Sequence, residues 1–247
     1  MPRSRLPVVL SVAAVVALLG GFVVFQQFLA GDDVARLTLP PPATDGPSTD
    51  PAASSTTGAA TGTATASELA GAWTVADGSV VGYRVREQLG GISALTDAVG
   101  RTSAVTGSAT LEASGNVLAV TAASFEADLS QLESDEGRRD NRIRSIGLQS
   151  DQFPTGSFVL AETIDVPADA LTGSTVDVTL TGALTIHGVT KTVTIPAQAR
   201  LNGDRIEVVG ALTFPFSDFG MTPPDVAGFV QVEDDATLEV LLSLVRA

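Results

Sequence analysis

Residues 176–186 read VDVTLTGALTI, a stretch in which apolar and hydrogen-bonding side chains alternate. The apolar face consists of Val176, Val178, Leu180, Leu184 and Ile186, with Gly182 in the same phase. Successive side chains of a β-strand point to opposite faces, so this period of two predicts a strand with one apolar and one polar face.

The same alternation recurs on both sides of this stretch, in residues 81–85, 206–216 and 238–244. Gly115-Asn116 and Gly203-Asp204 separate such segments, as tight hairpin turns do. About eight strands with one apolar face each must be closed into a barrel or stacked as a sandwich. One segment, 134–147, breaks the pattern and predicts a short helix capped by Ser134 or Asp135.

The N-terminal segment predicts a membrane anchor over residues 1–30. Arg3 and Arg5 precede the run 6–25, which carries no charge, and a helix of that length spans ~30 Å, the thickness of the bilayer's hydrocarbon core. We therefore expect a transmembrane helix over about 6–28, with a cleaved signal peptide as the alternative. The two arginines predict a cytoplasmic N-terminus, which places the rest of the chain outside the cytoplasm in a single-pass cell-membrane protein.

A low-complexity segment follows the predicted anchor. From Pro41 to Thr65, every residue except Asp45 and Asp50 is Pro, Ala, Gly, Ser or Thr. Such a composition buries too little apolar surface to offset the entropy of ordering it. We therefore predict a disordered tether over 31–66 and a folded barrel domain over 67–247.

Composition excludes several kinds of chemistry. The 247 residues include no cysteine and one histidine, and 14 basic against 28 acidic residues give a net charge of −14. Thiol catalysis, disulfides and thiolate or multi-histidine metal sites are therefore excluded within one chain, and general nucleic-acid binding is disfavoured. We predict no metal, no cofactor, no nucleic-acid partner and no catalytic residue.

Six short sequence elements occur in an order that is typical of one protein family. They are Trp73 with Asp77, VGYRV at 81–85, Arg139-Asp140 with Ile143, Phe153-Pro154 with Phe158, LTGALTIHGVTK at 180–191 and FSDFGM at 216–221. Together they resemble the YceI-like family over essentially the whole folded domain. The resemblance implies an all-β, antiparallel, lipocalin-like eight-stranded barrel with an elongated apolar cavity for a long isoprenoid or quinone tail.

Candidate ligand-binding residues follow from the alternation and the resemblance together. For the apolar lumen they are Tyr83, Val85, Phe125, Phe158, Leu160, Val178, Leu180, Leu184, Ile186, Val208, Leu212, Phe214, Phe216, Leu238, Val240 and Leu242. For a phosphate-like head group they are Arg138, Arg139 and Arg142, because guanidinium groups bind phosphate in a bidentate manner. The alternative is that Asp135–Arg139 and Asp140–Arg144 are i,i+4 pairs that only support a helix.

The function predicted from these features is that of a membrane-tethered extracytoplasmic binding protein, not an enzyme, which sequesters or carries an isoprenoid or similar amphipathic lipid. An envelope interaction or stress module with a filled barrel is the alternative. A lipid-acting hydrolase or isomerase would have to rely on Asp218 and Glu162, without a nucleophile–base pair. His187, at a strand end on the outward face, is predicted to be structural or solvent-facing, and homodimerisation stays open.

Overall fold

The computed structural model describes residues 34–42, 64–89, 95–224 and 230–247. The predicted membrane helix and most of the predicted tether lie outside these ranges. Within them, no helix combines the length and apolar character needed to cross a membrane. All strands and helices described below belong to the unit Arg36–Ala247.

Strands make up most of this unit. They are β1 (Gly71–Val75), β2 (Val80–Leu89), β3 (Leu95–Thr102), β4 (Val105–Ser114), β5 (Val117–Asp128), β6 (Thr155–Leu160), β7 (Ile164–Val166), β8 (Val176–Ile186), β9 (Val189–Asn202), β10 (Arg205–Pro215) and β11 (Val230–Arg246). The α-helices are α1 (Ala66–Leu69) and α2 (Gly137–Ser145). Short 3-10 helices occupy Leu129–Gln131, Ala168–Thr172 and Phe216–Phe219.

The strands form one closed antiparallel sheet. Their order is β1-β4-β5-β6-β8-β9-β10-β11-β2-β3, and β1 also pairs with β11, which closes the ring. Three pairs of consecutive strands, β1 with β2, β3 with β4 and β6 with β7, each occupy a single position in the ring. The eleven described strands therefore make an eight-stranded barrel. The predicted all-β barrel is therefore confirmed, while the membrane helix before it stays a prediction.

Both hairpins predicted from the sequence are present. Asn202 pairs with Arg205 across Gly203-Asp204, and Ser114 pairs with Val117 across Gly115-Asn116. Gly115 and Gly203 have φ angles of 60° and 63°, which glycine adopts without strain. These turns lie at one end of the barrel, and the connections β5–β6, β8–β9 and β10–β11 lie at the other, called here the mouth end.

The end opposite the mouth is closed by a packed core around Trp73. Its indole is 2% exposed, and Nε1 donates to the carbonyl of Leu69 at 2.9 Å. The guanidinium of Arg246 lies 5.4 Å from the centre of its ring. Leu111, Leu118 and Leu244 belong to the same buried cluster, so the protein's own side chains pack across this end of the barrel.

Residues 36–42, called here the strap, lie against the outer wall of the barrel. Arg200 donates from Nη2 to the carbonyl of Pro40, and Asn202 donates from Nδ2 to that of Pro41 at 3.3 Å. Arg36 lies 3.9 Å from the carboxylate of Glu239. These seven residues fall within the predicted tether, and this part of the chain therefore contacts β9 and β11.

Helix α2 is shorter than the predicted span 134–147, and its cap is a different residue. Glu136 is the N-cap and accepts from the amide of Arg138 at 3.1 Å. The prediction of Ser134 or Asp135 as the cap is wrong. Ser134 donates instead to the carboxylate of Asp140 at 2.6 Å, and its hydroxyl accepts from the amide of Glu136, which precedes the helix.

Candidate functional site

An apolar cavity of about 570 Å³ occupies the half of the lumen nearest the mouth end. Thirteen of the predicted lumen residues line it: Tyr83, Val85, Phe125, Phe158, Leu180, Leu184, Ile186, Val208, Phe214, Phe216, Leu238, Val240 and Leu242. This volume falls within the range of about 300–1,000 Å³ typical of ligand pockets. The lumen near the mouth therefore has room for a ligand.

The other three predicted lumen residues lie elsewhere. Leu160 and Val178 line a second, smaller cavity of about 110 Å³, deeper in the barrel. Leu212 packs against the buried cluster that contains Phe219 and lines neither cavity. Inward alternation therefore places a side chain in the lumen but does not decide whether that side chain borders open space.

Small side chains keep the mouth half of the lumen open. Ala98 and Ala236 line the larger cavity and are 1% and 6% exposed, and Gly210 faces the same space. Larger side chains at these three positions would reach into the lumen. Sequence reasoning missed them, although Gly210 and Ala236 are in phase with the apolar residues of their strands; Ala98 faces inward because it pairs with Val85 of β2.

Tyr83 places a hydroxyl in the lumen wall. Its ring lies directly over Gly100, where an added Cβ would come within 2.3 Å of Cε1. The phenolic oxygen is buried and has no hydrogen-bond partner in the described part of the chain. Desolvation raises the pKa of Tyr83, so the group stays protonated and available as a donor inside the cavity.

A buried ion pair stands at the mouth of the cavity. Glu87 continues the inward series of Val85 and is 6% exposed, and its Oε1 lies 2.6 Å from Nη2 of Arg139. Arg139 also pairs with Asp135. Burial lowers the pKa of Arg139, but the bond to Glu87 and the two carboxylate charges outweigh it and raise that pKa. Arg139 is thus a neutralised, fixed part of the wall.

Arg138 and Arg142 differ from Arg139 in having uncommitted guanidinium groups. Both line the mouth of the cavity, and neither side chain bonds or pairs with another residue in the described ranges. Of the two expected i,i+4 pairs, Asp135–Arg139 forms, whereas Arg144 donates to Asn141 at 2.9 Å instead of pairing with Asp140. The structure therefore leaves two cationic groups beside the cavity.

His187 holds three segments together at the mouth end. It has a φ of 53° in the β8–β9 turn, its Nε2 lies 2.8 Å from Oε1 of Gln149, and its Nδ1 lies 3.2 Å from the carbonyl oxygen of Phe219. The ring packs on that of Phe153 with 4.5 Å between centroids. These contacts support the predicted structural role.

The acid–base candidates of the enzyme hypothesis do not share a site. Asp218 lies at the mouth end and binds Nζ of Lys191 at 2.6 Å. Glu162 is exposed and follows β6, where its amide donates to the carbonyl of Thr181, halfway along β8. Across the described ranges, no group of three or more His, Asp or Glu residues is placed to hold a metal ion.

Comparisons with known proteins agree with this architecture. The family model of the YceI-like domain matches residues 52–244. BcnA of Burkholderia cenocepacia is 18% identical with a TM-score of 0.50, and the match covers 67% of this chain and 95% of that one. A polyisoprenoid binding domain from Saccharophagus degradans, implicated in plant cell wall breakdown, is 16% identical with a TM-score of 0.51 over 72% and 99% of the two chains.

A comparison with curated protein sequences finds no match. At 16–18% identity the two solved structures support the fold alone. The family model is a separate finding, because it matches well over half of the chain, including β1 to β10 and most of β11. By this match and by its closed eight-stranded barrel, the chain belongs to the YceI-like family.

Proposed function

We propose that this protein is a membrane-tethered, extracytoplasmic carrier that holds the tail of an isoprenoid lipid in its barrel. The observation that carries the proposal is the apolar cavity of about 570 Å³. A barrel filled by its own side chains would have no such space, so the cavity favours a carrier over an interaction module. The YceI-like family and its polyisoprenoid-binding member from Saccharophagus degradans support the same class of ligand.

The chemistry of the cavity wall matches a slender apolar chain. Burial of each chain methylene stabilises a complex by about 0.8 kcal/mol. The wall of the larger cavity combines aliphatic side chains such as Leu184 and Val240 with a few rings. The buried hydroxyl of Tyr83 supplies one hydrogen-bond donor in a mostly apolar wall, which suits a ligand with few polar atoms.

The mouth carries the charges for a polar head group. Arg138 and Arg142 line the cavity at the edge where a ligand enters, and guanidinium groups favour phosphate over uncharged groups. Arg139 stays bound to Glu87 and Asp135, so its role is to support the wall. We therefore take the ligand to be an isoprenoid phosphate in preference to a quinone.

Membrane attachment through residues 1–30 completes the proposal. A carrier held by a single N-terminal span, with its barrel outside the cytoplasm, needs to move its ligand only a short distance from the bilayer. The support for this part is the charge-free run 6–25 and the two arginines before it.

Photolabelling of the full-length protein in phosphatidylcholine vesicles tests the function. The probe is a geranylgeranyl phosphate analogue with a diazirine at the far end of its chain. We expect label on lumen peptides of β5, β6, β8 and β10 after irradiation, and we expect unlabelled geranylgeranyl phosphate to compete. Absence of lumen label, or label that no competitor reduces, would overturn the proposal; stronger competition by a prenyl quinone would overturn the head-group assignment.

Removal of the two uncommitted arginines tests the head-group site. In Arg138→Gln/Arg142→Gln, we expect competition by geranylgeranyl phosphate to weaken by about tenfold or more, because a hydrogen bond to a charged group contributes about 1.5–3 kcal/mol. Competition by uncharged geranylgeraniol should stay the same. Arg144→Gln is the matched control, since Arg144 lies on the same helix and does not line the cavity. Equal effects of the control and the double variant would contradict the assignment.

A further inference from the structure

The two lumen cavities meet at a waist in the middle of the barrel. Five side chains line both the larger cavity and the smaller one of about 110 Å³: Phe125, Phe158, Leu180, Val208 and Leu242. A side chain that borders two cavities separates them. The lumen therefore consists of a large chamber at the mouth end, this waist, and a small apolar chamber beyond it.

Two phenylalanine rings form one side of the waist. Phe125 on β5 pairs directly with Phe158 on β6, so their side chains enter the lumen at the same height. Leu180, Val208 and Leu242 come from β8, β10 and β11 and form the other side. The constriction is thus built from strands on several sides of the barrel.

Glycines fix the positions of both rings. A Cβ at Gly107 would come within 2.7 Å of Cδ1 of Phe125, and a Cβ at Gly182 would come within 2.5 Å of Cζ of Phe158. Each ring therefore lies against a bare stretch of backbone, in a position that any other residue type would block. Close packing of this kind restricts the ring to one orientation, so the waist has a defined width.

The chamber beyond the waist is apolar. Ala109, Leu118 and Leu244 line it, and they belong to the same buried cluster as Trp73. Its volume of about 110 Å³ is small against the 570 Å³ of the mouth chamber. An isoprenoid tail that fills the mouth chamber thus meets the two rings before it meets the end of the barrel.

We propose that the waist residues set the length of isoprenoid chain that the protein accepts, with Phe158 and Phe125 acting as the stop. Chains that end at the waist bind best, and longer chains are rejected because their ends cannot pass the rings. This inference rests on the proposed function, since it assigns the specificity of the same cavity. It predicts that a wider waist joins the two chambers and admits a longer chain.

Competition by a graded series of prenyl phosphates tests the stop. Geranyl, farnesyl, geranylgeranyl and longer prenyl phosphates compete with the diazirine probe on full-length protein in phosphatidylcholine vesicles. In Phe158→Leu and in Phe125→Leu, we expect the best competitor to become at least one isoprene unit longer, with about a tenfold gain for that chain relative to the wild type. Leu180→Phe narrows the waist and should move the optimum to a shorter chain.

Phe153→Leu is the matched control, because Phe153 packs on His187 and lines neither chamber. Its optimum should equal that of the wild type. Thermal unfolding of each variant identifies any that fails to fold, and three waist variants on different strands keep the test decisive. An unchanged optimum in folded waist variants, or the same shift in the control, would overturn the stop while leaving lipid binding intact. If no prenyl phosphate competes with the diazirine probe on the wild-type protein, the proposed function itself is overturned.

Discussion

The Val240→Trp variant should lose the photolabelling of its lumen by a factor of about ten or more. Val240 lies on β11 beside Gly210 and faces the mouth chamber, so an indole at this position occupies the space that the ligand tail requires. Displacement of two chain methylenes from the chamber removes about 1.6 kcal/mol of binding free energy. This loss corresponds to a decrease in affinity of more than about tenfold. Labelling yield on the peptides of β5 and β6, at fixed probe concentration, measures the effect.

The control for this variant is the same substitution on the other face of the barrel. Val159 on β6 is 49% exposed, so Val159→Trp adds an indole to the outer surface and should label as the wild type does. Because the indole of Val240→Trp fills existing space, we expect its thermal midpoint to stay near that of the wild type. Equal labelling of the two variants would show that the ligand does not occupy the chamber.

Trp73→Ala should cause the largest loss of stability, about 3–5 kcal/mol in the free energy of unfolding. The indole is almost fully buried at the closed end of the barrel, and it holds α1 through the bond to Leu69. Its removal leaves a cavity among leucines that cannot all move inward. Urea unfolding followed by far-UV circular dichroism measures the loss, since the only tryptophan of the chain is removed.

Arg246→Gln separates the packing of the indole from its contact with the cation. It removes the guanidinium above the ring and the bond to Ala70, which together should contribute about 1 kcal/mol. A loss in Arg246→Gln as large as that in Trp73→Ala would contradict the assignment of the stability to buried volume.

Local patterns were sufficient to predict the strands and their inward faces. The alternation around Leu180 and Leu184 depends only on neighbours in sequence, and the hairpins depend on two-residue turns such as Gly203-Asp204. The resemblance to the YceI-like family then supplied the closed barrel and the class of ligand. The strands and turns depend on neighbours in sequence, and the closed barrel depends on a fold that the whole family shares.

Features that depend on distant pairs could not be predicted in this way. The partner of Arg139 is Glu87, 52 residues earlier in the chain. The Phe158 ring lies on Gly182, and this contact exists only because β6 pairs with β8. Cap choice at α2 failed for a different, local reason, since the Ser134 hydroxyl binds Asp140 and Glu136 caps the helix. The contacts between distant residues depend on strand register and tertiary packing more than on composition.

The strap has a consequence for the connectivity of the chain. Pro40 and Pro41 are held by Arg200 and Asn202, and Ala64 donates from its amide to the carbonyl of Leu171. Residues 43–63 therefore connect two points of the same barrel along the chain, and the strap behaves as an intramolecular ligand whose effective concentration is set by that connection. A single proteolytic cut between 43 and 63 would turn the contact into a bimolecular one that dilution dissociates.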